Sequence, residues 1–142
     1  YRIEDAVRSA KSALEEGIVE GAGMTLFRAS KVLGDRMKKE MDLSFRMGLE
    51  IVKEAIKEPA RQIIKNAGGN PDVLLSKTED TDLGYNSATD KFEVLLESGV
   101  IDPAKVVRCG IENALSVVSL FLITEAVIVD EVEEKKPENN QQ

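Results

Sequence analysis

The dipeptide Asp102-Pro103 joins a potentially reactive side chain to a defined structural position. An aspartate followed by proline and then by an apolar stretch is typical of a helix N-terminus, with Asp102 as N-cap and Pro103 as the first helical residue. A carboxylate has room for several hydrogen-bond donors, so the same side chain could also bind a ligand. The pattern by itself favours the cap, and a binding role is the alternative.

Other kinds of site are excluded by the residues that the chain lacks. It contains no histidine and one cysteine, Cys109. A zinc site, a Ser-His or Cys-His nucleophile and an internal disulfide therefore cannot be built from these residues alone. Any metal would be a hard cation bound by oxygen. We expect Cys109 to be a small buried core residue in a protein of a reducing compartment.

Composition favours a soluble globular protein. Of the 142 residues, 42% are hydrophobic and 32% are charged, which suits one domain with a proper core. The net charge of −7 argues against nucleic acid as a partner. The longest apolar run, 114–124, is shorter than the roughly 20 residues that cross a bilayer, so we expect a buried helix and no membrane partner. No basic-then-apolar leader is visible, so the cytoplasm is the expected location, with an organelle matrix as the alternative.

The elements that would position a site are mostly helical. Apolar residues at three- and four-residue steps predict an amphipathic helix over Ile3–Leu14 that ends at Gly17. Proline at position 59 should interrupt a later helix. The further predictions are helices at about 22–33, 39–57, 59–66, 71–76 and 103–123, a surface loop at 78–83, and a small hairpin bracketed by Tyr85 and Phe92.

A β-branched run, Ala126–Val129, follows the last helix and predicts a strand. A single strand cannot satisfy its own backbone groups, so this segment needs a partner strand. One candidate is a strand from another part of the same protein. The residues after Asp130 are charged and polar, and we expect a disordered tail at 131–142.

Several motifs, in one order and at matching separations, resemble the C-terminal part of the group I chaperonins, the ATP-driven folding rings. The resemblance extends to about Asp130. Its motifs are Glu4-Asp5-Ala6, Glu15-Glu16-Gly17-Ile18-Val19-Glu20-Gly21-Ala22-Gly23, Glu58-Pro59-Ala60-Arg61-Gln62-Ile63-Ile64-Lys65-Asn66-Ala67-Gly68, Gly84-Tyr85-Asn86-Ser87-Ala88-Thr89, Gly99-Val100-Ile101-Asp102-Pro103-Ala104-Lys105-Val106 and Thr124-Glu125-Ala126-Val127.

The resemblance implies a mainly α fold, the helical bundle of the chaperonin equatorial domain with a small β-hairpin and a C-terminal edge strand. Residues 1–16 would be the last helix of the intermediate domain, and 17–130 the C-terminal half of the equatorial ATPase domain. The edge strand would pair with a neighbouring subunit and help to close a ring.

The resemblance also implies a catalytic role for Asp5. In the family, the aspartate of the Glu-Asp-Ala motif positions or activates the water that attacks the γ-phosphate. A carboxylate suits this task because phosphoryl transfer depends mainly on positioning and electrostatics. Without the resemblance, Asp5 is a solvated carboxylate that the helix dipole favours.

Nucleotide-binding residues follow from the resemblance as well. Gly21, Ala22 and Gly23 match a three-glycine turn whose backbone approaches the nucleotide at a helix start. Ala22 departs from the family pattern: either its φ is negative and the methyl is tolerated, or nucleotide affinity is reduced. The same turn could simply connect two helices.

Four further residues complete this implied site. Asn86 and Ser87 would lie beside the adenine, with Ser87 contributing mainly backbone. Val100 would pack against the base, and Asp102 would accept hydrogen bonds from the ribose hydroxyls. The family's Gly-Asp-Gly-Thr phosphate loop and main Mg²⁺ aspartate belong to an N-terminal half, so we expect ATP and Mg²⁺ as cofactors of the intact protein, no metal ligand here, and no activity of this chain alone.

The function implied is ATP binding and hydrolysis in a ring that assists the folding of other proteins. Its partners would be identical subunits in a heptameric or double-heptameric ring, a co-chaperonin lid and unfolded clients. The alternative is a ring-forming structural module with lost or weakened ATPase activity. Ala22, Ser87 and a tail without the family's Gly-Gly-Met repeats support that alternative.

Overall fold

The computed structural model describes residues 1–129, and the tail predicted at 131–142 lies outside this range. The described part is mainly helical, as predicted. Its helices are α1 (Arg2–Glu16), α2 (Met24–Lys39), α3 (Leu43–Ala55), α4 (Glu58–Asn66), α5 (Pro71–Ser76) and α6 (Ala104–Ile123). Its strands are β1 (Ile18–Glu20), β2 (Gly84–Asn86), β3 (Lys91–Glu93) and β4 (Ile101–Pro103).

Helix ends follow local signals in several places. Gly17 ends α1 with φ +83°, a conformation that glycine adopts without a steric penalty. Pro59 lies in the first turn of α4, so the chain breaks between α3 and α4 as predicted. Asp42 caps α3 and Asn70 caps α5 through side-chain oxygens that accept backbone N–H groups. The second helix was predicted to end near Leu33, but α2 continues to Lys39.

Two small antiparallel sheets lie in this part of the chain. β2 and β3 form the predicted hairpin, with Tyr85 opposite Phe92. The two rings pack in a tilted arrangement, with a centroid distance of 5.5 Å and an interplanar angle of 53°. β1 pairs with β4, with Val19 opposite Asp102, and the sequence analysis did not predict this sheet.

The core joins α2, α4, α5 and the hairpin. Met24 and Leu95 are at most 1% exposed, and the side chains around them come from elements far apart in sequence. The core thus lies between the helices that follow the Gly21–Gly23 turn and the strands that precede Asp102. Its buried apolar residues are Met24, Phe27, Ala60, Ile64, Leu75, Tyr85 and Leu95.

The chain divides into two compact units, Tyr1–Cys109 and a second that begins at Gly110. The α6 helix was predicted to be buried, but none of its residues is buried, and Cys109 is only half-buried. The helix could cross a membrane by length and composition, which is weak evidence because core helices of soluble proteins also meet these criteria.

The predicted C-terminal edge strand does not form: Ala126–Val129 belongs to neither helix nor strand. The physical reason is that a strand is stable only when a neighbouring strand pairs with its backbone N–H and C=O groups.

Candidate functional site

The Gly21–Gly23 turn connects β1 to the N-terminus of α2 and is pressed between two other segments. The Gly21 amide donates to the Val100 carbonyl at 2.9 Å. A Cβ on Gly23 would lie 2.6 Å from the backbone nitrogen of Ala60, and Gly23 has φ +72°. No side chain fits there without moving α4, so glycine is required at this position by both space and conformation.

Ala22 has φ +54°, in the left-handed region. Of the two alternatives left open by the sequence, the one with negative φ is therefore wrong. An L-residue in this region is disfavoured by about 1–2 kcal/mol. The Ala22 methyl group packs partly buried against the core, which offsets part of that cost. The turn therefore has, at Ala22, a backbone conformation that favours glycine.

Asp102 lies in β4 and not at a helix cap, which corrects the first sequence interpretation. A cap at Asp102 would bond the amides of Ala104 or Lys105, but the Ala104 amide donates to the Gly17 carbonyl at 3.0 Å and α6 begins only at Ala104. Within residues 1–129 the half-buried Asp102 carboxylate accepts no hydrogen bond and forms no ion pair. All of its acceptor capacity is free for a ligand.

Asn86 ends β2 with its side chain engaged inside the protein. Its Nδ2 donates to Glu93 Oε1 at 2.6 Å, and its Oδ1 accepts the Ala88 amide at 3.0 Å. The residue is 9% exposed. The side chain therefore shapes the turn at residues 87–90 and retains one N–H and one lone pair for other partners.

Ser87 follows Asn86, and its hydroxyl is buried without a hydrogen-bond partner among the described residues. It lines an open depression of ≈ 450 Å³ together with backbone of the α4–α5 connection. Tyr85 donates to Asp90 Oδ1 at 2.7 Å, and this hydrogen bond, followed by burial, raises the pKa of the Tyr85 hydroxyl. The depression is lined by Ala67, Gly68, Gly69, Asn70, Val73, Leu74, Tyr85, Ser87 and Asp90.

Three of the predicted groups lie side by side in one framework: the Gly21–Gly23 turn, Val100 and Asp102. The turn and Val100 are joined by the hydrogen bond from Gly21, and Asp102 lies beside them in the β1–β4 sheet. The hairpin that carries Asn86 packs on the same core, because a Cβ on Gly84 would lie 3.3 Å from Met24 Cγ.

Asp5 is not part of this framework. It is exposed in the first turn of α1. At a rise of about 1.5 Å per residue, it lies roughly 18 Å along the helix from Gly17.

Two ion pairs, which the sequence analysis missed, connect the end of α1 to the start of α6. Glu15 pairs with Lys105, and Glu16 accepts from Arg108 at 2.5 Å and 3.0 Å. The hydrogen bond from Arg108 lowers the pKa of the Glu16 carboxyl. The one available signal was local: two carboxylates in the last turn of a helix oppose its dipole, which indicates cations nearby.

No cluster of three or more histidine, cysteine or acidic side chains suited to a metal ion occurs in the described residues. The groups that the framework does offer are the backbone amides at the N-terminus of α2, the free carboxylate of Asp102 and the apolar surface at Val100. These groups suit an anion and vicinal hydroxyls, the functional groups of a nucleotide.

The sequence matches the TCP-1/cpn60 chaperonin family over residues 1–132. One relative is "Chaperonin GroEL" of Methanospirillum hungatei, 48% identical over 137 residues, which covers 94% of this chain and 25% of the relative. Another is the chloroplastic "RuBisCO large subunit-binding protein subunit alpha" of Brassica napus, 45% identical over 138 residues, with 96% and 25% covered.

Among solved structures, a group III chaperonin crystallised in its open state matches with a TM-score of 0.74 and 26% identity. The match covers 82% of this chain and 25% of the other chain. The chain thus spans about a quarter of the length of the relatives that it matches.

Proposed function

The chain belongs to the TCP-1/cpn60 chaperonin family, and on that premise we propose that it is part of an ATP-dependent chaperonin subunit. In the intact protein, ATP binding and hydrolysis would drive a ring that assists the folding of other proteins. Identical subunits, a co-chaperonin lid and unfolded clients are the proposed partners, and the cytoplasm the proposed location. The family match carries the chaperone part of this proposal.

The observation that carries the nucleotide part is the free carboxylate of Asp102 beside the Gly21–Gly23 turn. Asp102 would accept hydrogen bonds from the ribose hydroxyls, and Val100 would contact the base. The amides at the start of α2 would face phosphate, where the helix dipole favours negative charge. Asn86 and Ser87 would lie at the adenine, with the Ser87 backbone as the contact.

Bound Mg-ATP would supply the phosphoanhydride that is cleaved. The residues of this chain would bind and orient the nucleoside. Asp5 would orient the attacking water, and for this α1 must swing toward the turn, because Asp5 lies at the distant end of the helix. The hinge for such a movement would be Gly17, which lies between α1 and β1 and has φ +83°.

The test separates binding from turnover in the intact parent protein. Asp102→Ala should weaken Mg-ATP binding about tenfold or more, the scale of a lost hydrogen bond to a charged group. Asp5→Ala should leave Mg-ATP binding intact and lower kcat by about a hundredfold or more. The control is Asp35→Ala, an exposed carboxylate of α2 that pairs locally with Lys38. A parent that binds no Mg-ATP would refute the proposal.

A second candidate is a ring-forming structural module with weakened ATPase activity. The strained Ala22 supports it, because a methyl group stands in the turn where the family generally has glycine. Assembly of the parent into a ring without measurable Mg-ATP hydrolysis would favour this candidate.

A further inference from the structure

Arg28 connects the two parts of the proposed nucleotide site. It lies in the second turn of α2, and its guanidinium makes four hydrogen bonds. Nε donates to Glu20 Oε2 at 2.5 Å and Nη2 to Glu20 Oε1 at 3.3 Å. Nη1 donates to the Thr81 carbonyl at 2.7 Å and Nη2 to the Leu83 carbonyl at 3.2 Å.

These partners flank the site on both sides. Glu20 is the last residue of β1 and directly precedes Gly21, while Leu83 directly precedes β2, which ends at Asn86. The two segments are more than fifty residues apart in sequence. Thr25 Oγ1 adds a hydrogen bond to the Glu20 carbonyl at 2.8 Å. Both ends of the site are thus attached to one rigid helix.

Partial burial makes the loss of either partner more costly here than at a surface ion pair. The side chain of Glu20 is 14% exposed and that of Arg28 is 29% exposed. The bidentate geometry fixes the guanidinium plane, and only arginine presents enough donors in a planar fork to bond a carboxylate and two carbonyls together. The neighbouring Lys31–Asp80 pair spans similar elements, but its carboxylate is fully exposed and it contributes little.

We propose that Arg28, oriented by Glu20, is a positioning residue for nucleotide binding: it holds the Gly21–Gly23 turn in register with Asn86 and Ser87. This inference rests on the proposed function and assigns a role to two residues outside the set proposed to contact the nucleotide. It makes affinity for Mg-ATP depend on a contact outside the binding surface.

The experiment compares Arg28→Lys and Glu20→Gln with wild type in the intact parent protein. Lysine keeps the charge but cannot reach the carboxylate and both carbonyls, so the Kd and KM for Mg-ATP should rise about tenfold, with kcat changed by less than about twofold. Glu20→Gln keeps the shape and should show a smaller rise of the same kind. Arg61→Lys is the matched control, because Arg61 is equally exposed at 28% and pairs with Glu58 and Asp72 in another helix pair.

Two readouts separate positioning from mere stability. Amide hydrogen exchange should accelerate in Arg28→Lys at both Gly21 and Ala88, which lie on the two sides of the site. The charge-swapped double variant Glu20→Arg with Arg28→Glu restores an ion pair but no donor for the two carbonyls. It should recover part of the thermal stability without recovering Mg-ATP affinity.

The proposal is overturned if both single variants keep the wild-type Kd, or if the charge-swapped variant recovers stability and affinity together. Should Arg28→Lys fail to fold, the near-isosteric Glu20→Gln decides by the same Kd measurement. A wild-type parent that binds no Mg-ATP would refute the proposed function itself. This outcome can be told apart from failure of the Arg28 proposal because it is seen without any substitution.

Discussion

Replacing Gly23 by alanine tests whether the turn is held by close packing as well as by backbone conformation. Gly23 has φ +72°, and the new Cβ would lie 2.6 Å from the Ala60 nitrogen and 2.8 Å from its Cα. The φ alone costs about 1–2 kcal/mol. The contact adds about 1–3 kcal/mol, because a backbone of α4 must move and no flexible side chain can yield. We therefore expect a total loss of about 2–5 kcal/mol.

Gly68→Ala is the matched control. Gly68 has a similar φ of +82°, but a Cβ there would meet nothing within 4 Å. Its cost should be limited to the conformational part, about 1–2 kcal/mol. The difference between the two variants isolates the contact with Ala60.

Amide exchange in the parent protein measures this difference locally. The Met24 amide donates to Gly21 and the Phe27 amide to Gly23, so both report on opening of the turn and the start of α2. The matching reporter for Gly68→Ala is the Gly69 amide, which donates to the Ile64 carbonyl. A contact cost of about 2 kcal/mol should speed exchange of Met24 and Phe27 in Gly23→Ala about thirtyfold more than exchange of Gly69 in Gly68→Ala. Equal acceleration in the two variants would refute the reasoning, since only conformation would then matter at Gly23.

Further predictions concern neighbouring residues. Ala22→Gly should relieve the left-handed strain at φ +54° and lower the Kd for Mg-ATP. Loss of the partly buried methyl group should reduce the free energy of unfolding by no more than about 1 kcal/mol. An unchanged or higher Kd in titration calorimetry would contradict this prediction. The pKa of Glu16 is lowered in the folded protein, so its contribution is present above the ordinary value of 4.5 and disappears as pH falls through the lower folded value. Proteolysis near Gly17 should therefore increase on acidification in wild type, and Glu16→Gln should show the increase already at neutral pH. Glu4→Gln, whose carboxylate pairs with Arg8 inside α1, is the control and should behave like wild type.

Sequence patterns predicted the helices well where local chemistry decides the structure. The apolar spacing of α1, the stop at Gly17, the break at Pro59 and the Tyr85–Phe92 hairpin all depend on residues close together in the chain. Family resemblance was also readable from short motifs, and the chaperonin match confirms it. The roles of Asp5, Asn86 and Asp102 in nucleotide chemistry stay predictions.

Tertiary structure decided three features: the β1–β4 sheet, the conformation of Ala22 and the hydrogen bonds of the Arg28 guanidinium. The sheet and the Arg28 contacts depend on partners far apart in sequence, because Val19 lies opposite Asp102 and Arg28 donates to the Leu83 carbonyl. Asp102 shows the physical reason most directly. Its local sequence is that of a helix cap, but the Gly17 carbonyl takes the Ala104 amide and leaves the carboxylate free. A local sequence pattern indicates which hydrogen bonds a residue can make, but the folded chain determines which of the competing donors and acceptors come within bonding distance.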